Sequence, residues 1–208
     1  MATPFTDEEP SLDETAPEPR KPNRKILLLL GAAVAAAGLA AAVVYGPTTL
    51  RLLQQKDVTL TTPAQISGLS LDTSAEAADT SDYLRTALAA GLQLDDSVGA
   101  VYTDPADPAH SVIVAAGAAM LRNPGTDLDR VFDTVTDPES GFGTISEVPA
   151  GPLGGVMKCG TSTGDEGALA ICGWADHGSI AIAIFPGRTT ADASELLRTM
   201  RGQIQHRD

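Results

Sequence analysis

From Ile26 to Tyr45 the chain reads ILLLLGAAVAAAGLAAAVVY, twenty residues without one charge. At about 1.5 Å of rise per residue, a helix of that length matches the roughly 30 Å hydrocarbon thickness of a bilayer. The segment therefore reads as a single transmembrane helix over residues 26–45. Arg20, Lys21, Arg24 and Lys25 stand immediately before it. Basic residues flanking a span stay on the cytoplasmic side, which puts the N-terminus inside and the C-terminal part outside. Tyr45 sits where an interfacial aromatic is expected. The Ala-rich stretch Leu39 to Ala42 leaves a second reading, a cleaved secretory signal, although that class has a shorter apolar core and a shorter leader. No cysteine stands directly after the span, so a lipoprotein-type lipid anchor is excluded. Gly31, Ala35 and Gly38 give small-residue spacing compatible with weak homo-association through the span.

The flanks divide the chain further. Residues 1–25 form an acidic, Pro- and Thr-rich tail ending in the basic cluster, with too little apolar surface to fold. Residues 46–56 are a linker opened by Gly46 and Pro47, and residues 57–208 are the extracytoplasmic domain. The chain carries a net charge of -13, from 27 acidic and 14 basic residues. Because four of the basic ones precede the span, the part beyond it is more acidic still, and such a surface repels nucleic acid and anionic headgroups. The expected contact with the membrane is through the chain's own helix, and the expected partner is an envelope protein.

Within 57–208 the patterning predicts an α+β domain, an antiparallel sheet of five or six strands packed with two or three helices, in the order β-α-β-β-α-β-β-β-α. Val58 to Thr62 reads as a strand ended by Pro63. Thr73 and Glu76 form a capping-box pattern for a helix to about Ala90, and Thr126 and Asp129 another for a second helix. Ser97 to Thr103 and His110 to Ala116 read as a hairpin around DPADPA. Gly151 to Cys159, Ala168 to Ala175 and Ser179 to Phe185 read as three strands. In the last, Ile180, Ile182 and Ile184 alternate with Ala181 and Ala183, so neither face is polar and the strand belongs at the centre of the sheet. Ala193, Leu197, Met200 and Ile204 recur at helical spacing and close the domain with a helix whose other face is charged.

The segments PAGPLGGVMKCG and AICGWADHGSIAIAIF, with the TTP motif at Thr61 to Pro63 and the Ala-rich span, resemble a group of uncharacterised actinobacterial single-pass membrane proteins. Their extracytoplasmic domain contains a Cys...Cys-x-Trp-Ala-Asp segment. The resemblance implies an envelope location and a disulfide between Cys159 and Cys172, and it brings no activity with it. The two cysteines, the only ones in the chain, also fall in the part placed outside the cytoplasm, where disulfides persist. Trp174 shares strand parity with Cys172 and reads as a core residue packed over the bridge, with a ligand-stacking residue as the alternative.

Two patterns invite a catalytic reading. Gly160 to Gly164 spells G-x-S-x-G, but a nucleophile elbow places its serine on a sharp strand-to-helix turn, and the residues after Ser162 read as a loop and a strand. Asp176, His177, Gly178 and Ser179 are consecutive, which suits a tight turn better than a site, because adjacent side chains do not converge. The three histidines have no metal-ligand spacing, and Asp95, Asp96, Asp104 and Asp107 lack a calcium-loop framework. No metal or cofactor is expected. The sequence thus favours a non-catalytic binding, sensing or scaffold module, with an extracytoplasmic hydrolase using Ser162 or His177 as the alternative.

Overall fold

The computed structural model describes residues 57–136, 143–164 and 167–207. The expected tail, span and linker over 1–56 lie outside them, and no helix among the described residues is long and apolar enough to cross a membrane.

The elements in chain order are β1 (Val58–Leu60), β2 (Gln65–Ile66), β3 (Leu69–Leu71), α1 (Ala75–Ala89), β4 (Asp96–Thr103), β5 (Val112–Ala118), α2 (Pro124–Val135), β6 (Ser146–Val148), β7 (Val156–Gly164), β8 (Gly167–Ala175), β9 (Ser179–Pro186), α3 (Thr190–Ile204) and β10 (Gln205–Arg207). Eight strands form one antiparallel sheet in the order β2-β3-β4-β5-β9-β8-β7-β6. The α+β class and the three helices agree with the sequence pattern, while the count of five or six strands is too low. The missed strands are the short ones. β2 and β3 are joined by Ser67 and Gly68, both with positive φ, the tight turn that a right-twisted hairpin requires. β6 is a three-residue edge.

β9 lies between β5 and β8, as its two apolar faces require. Its isoleucines face α1 and α2 in one buried cluster with Leu84, Leu88, Leu128 and Phe132. Its alanines and Phe185 face the other cluster, with Leu197 and Met200 of α3, Met157 and Trp174. The result is three layers, two helices on one face of the sheet and α3 on the other.

β1 is outside the main sheet. It pairs antiparallel with β10, Leu60 opposite Gln205, and Leu60 joins the cluster on the α3 side. Thr61 N–H donates to Ile204 O at 2.9 Å, so the first described strand is held by the last.

Several boundaries differ from the sequence reading, each for a local reason. α1 is capped by Ser74, whose side chain accepts from Ala77 N–H at 3.2 Å. Thr73 is displaced from that role because Asp72 Oδ1 accepts Ser74 N–H at 2.9 Å and turns the chain one residue later. α2 begins at Pro124 after Asn123, so Thr126 is already inside the helix; proline's fixed φ suits the first helical position. β7 starts at Val156 and not Gly151 because Gly155, at φ +80°, packs against the end of β8. A Cβ there would lie 2.3 Å from Ala175 O. The DPADPA connection contains a single 3-10 turn, Pro108–His110.

Candidate functional site

Cys159 and Cys172 are directly opposed on β7 and β8 and form a disulfide. Both are buried in the same cluster as Trp174, the parity expected of alternate residues on one strand.

The turn between β8 and β9 closes with Asp176 N–H donating to Ser179 O at 2.8 Å. Asp176 Oδ1 accepts the N–H groups of Gly178 and Ser179 at 2.8 and 2.9 Å. Its Oδ2 accepts from Arg201 at 2.5 Å and Gln205 at 2.8 Å, and from Arg207. Arg201 spends its other donors on Gly154 O at 2.8 Å and Gln205 Oε1 at 2.9 Å, and its guanidinium carbon lies 5.6 Å from the centre of the Trp174 ring. Burial pushes the Arg201 pKa down, and the neighbouring Asp176 carboxylate works against that shift. Trp174 Nε1–H donates to Ser179 Oγ at 3.2 Å.

The hydrogen bonds of this cluster thus serve the fold. They tie the β8–β9 turn, the loop before β7 and the C-terminal strand together, and the Asp-His-Gly-Ser sequence is a turn, as read. His177 turns away from the cluster, with Nδ1 2.8 Å from Leu121 O. Ser162 lies elsewhere. It is on β7 opposite Leu169, while His177 follows the far end of β8, roughly 20 Å away at about 3.3 Å per residue. The G-x-S-x-G motif belongs to β7 as far as Gly164. It has a strand's geometry where an elbow needs a turn into a helix.

The four aspartates considered for a cation are split between the two ends of β4, and three of them accept a backbone N–H within two residues of themselves. Asp96 accepts Ser97 N–H, Asp104 accepts Ala106 N–H, and Asp107 accepts Ala109 N–H. Among the described residues no group of three potential ligands is assembled.

No known protein family and no curated protein matches this chain. The site must therefore be read from its own geometry.

Among the described residues are two further concave regions. One, about 250 Å³, lies between the start of α1 and β4 and is lined by Asp72, Ser74, Ser81, Asp82 and Gly99 among others. The Ser74 backbone N–H holds the Asp72 carboxyl below its ordinary pKa. The other is an apolar groove of about 230 Å³ between α1 and α2, walled by Tyr83, Leu84, Ala87 and Val135 with Ile113 and Ile184 as its floor. Tyr83 stands at its mouth, 80% exposed.

Sequence reasoning missed both the groove and Arg201. Arg201 had a signal, since it lies four residues after Leu197 and three before Ile204 and so falls on the apolar face of α3. The groove had none, because its walls come from elements about fifty residues apart in sequence.

Proposed function

We propose that this protein is a membrane-anchored, extracytoplasmic, non-catalytic binding module of the cell envelope, with residues 1–25 cytoplasmic, 26–45 spanning the membrane and 57–208 outside. One observation carries the reading: the α1–α2 groove is an open apolar concavity whose lining contains no acid, no base and no nucleophile other than hydroxyls. Such a lining recognises shape and apolar surface, and it holds no carboxylate, imidazole or amine to activate the hydroxyls of Thr80, Tyr83 and Thr134. Structural use of Asp176, the strand position of Ser162 and the His177–Leu121 contact support binding over hydrolysis. The buried Cys159–Cys172 bridge supports an oxidising compartment.

Protease added to intact spheroplasts tests the topology. Digestion of the C-terminal domain is the expected result, and protection of that domain overturns the assignment. Complementation of a deletion strain by a Ser162→Ala, His177→Ala double variant tests the non-catalytic part. Full complementation is expected, and failure by a normally folded variant restores the hydrolase.

A further inference from the structure

We propose that the α1–α2 groove is the docking site for an apolar knob, a leucine or aromatic side chain, on a basic-flanked segment of another extracytoplasmic protein. The proposal rests on the reading of this domain as a binding module, and it names the chemistry of the partner.

Size is the first argument. At about 230 Å³ the groove is below the roughly 300–1,000 Å³ of small-molecule pockets, and it suits one or two side chains. Its mouth carries Tyr83, one of two large apolar side chains exposed among the described residues. Tyrosine beside an apolar pocket is the composition of a contact hot spot, with a wide apolar ring and little rotamer freedom to lose.

Charge decides the kind of segment. Glu76, Thr80, Tyr83 and Ala87 follow at spacings of four, three and four, so they form one stripe on α1 with Glu76 one turn before the groove. Asp79 stands one turn before Tyr83, and Asp133 adjoins Thr134 on the opposite wall. None of these three carboxylates has a cationic partner among the described residues. The nearby cations are already engaged: Arg130 pairs with Asp127 at 2.7 Å, Arg85 with Asp82 at 3.1 Å, and Lys158 with Asp129 at 2.5 Å. The rim is therefore acidic around an apolar centre. A second copy would bring 21 acidic against 10 basic residues beyond Tyr45, and anionic headgroups carry the same sign, so both are repelled where a lysine- or arginine-flanked segment is attracted.

The test uses the full chain in phosphatidylcholine nanodiscs. The probe is a short fluorescein-labelled peptide with leucine and phenylalanine at its centre and paired lysines at both ends, and anisotropy is read against empty nanodiscs. Saturable binding is expected, weakened about tenfold or more by Tyr83→Ala and by Ala87→Trp, which fills the groove. Exchanging the lysines for glutamates should abolish it, and raising salt should weaken it. The thermal transition of each variant checks folding, and Tyr83, being mostly exposed, keeps the test valid if the tryptophan disturbs α1. No binding, equal binding of the glutamate peptide, or binding indifferent to both variants overturns the proposal. So does a concentration-dependent dimer, seen by sedimentation, that Ala87→Trp dissolves, because the occupant is then a second copy. A failed peptide leaves the spheroplast result standing, so the two readings fall separately.

Discussion

Arg201 donates to Asp176 Oδ2 at 2.5 Å with both side chains withdrawn from solvent, 1% and 0% exposed. A buried pair of this kind contributes little relative to a well-packed apolar core, but removing one member leaves the other charge stranded. Here Asp176 also serves Gln205, Arg207 and two backbone N–H groups. Asp176→Ala should therefore destabilise the domain by about 3–5 kcal/mol, read as a shift of the urea midpoint for the full chain in detergent. A loss under about 1 kcal/mol would show that the cluster is incidental to stability.

The Cys159–Cys172 bridge closes a loop of sequence separation 13. The chain-entropy account assigns such a loop about 3 kcal/mol. Mass spectrometry of unreduced, alkylated protein from the envelope should find neither cysteine alkylated. Both are buried, so reductant should act slowly on the folded protein and quickly once it unfolds. Two alkylated cysteines in envelope material would remove both the bridge and the compartment argument.

Tyr102 is fully buried, and its hydroxyl donates to Pro63 O at 2.9 Å. Burial pushes its pKa from 10.0 up to about 12. The unfolded chain therefore loses this proton first. The stability tied to the neutral phenol is complete below pH 10 and disappears as pH rises towards about 12. Tyr102→Phe should flatten that alkaline decline while costing about 1 kcal/mol at neutral pH for the lost hydrogen bond. Denaturation midpoints measured across the alkaline range check both effects, and an identical alkaline slope in the variant would refute the assignment.

These residues also show which features the sequence could reveal. The alternation of Ile180, Ile182 and Ile184 with Ala181 and Ala183 announced a strand covered on both faces, since each step of two returns to the same side of the sheet. Cys172 and Trp174 shared a face by the same rule. β1–β10 pairing was invisible because Gln205–Arg207 is three residues long and its partner lies at the other end of the domain, so neither local propensity nor periodicity marks it. Residue type argues against a buried Arg201, since an arginine is seldom withdrawn from solvent. What reverses that prior is Asp176, a residue of a distant turn.

Gly99 links packing to the groove. A Cβ at this position would stand 2.8 Å from the Ser81 carbonyl oxygen of α1, closer than real Cβ contacts, and backbone on both sides leaves no flexible side chain to move. Gly99→Ala must then lift α1 from β4, and overpacking of that kind costs about 1–3 kcal/mol. Because α1 also carries Tyr83, Leu84 and Ala87, the same displacement widens the groove against Ile113 and Ile184. The substitution is thus expected to lower the urea midpoint and to weaken the lysine-flanked peptide together, although residue 99 is not among the groove's lining residues. Peptide affinity unchanged in a measurably destabilised Gly99→Ala protein would mean that the groove's shape does not depend on how closely α1 sits on the sheet.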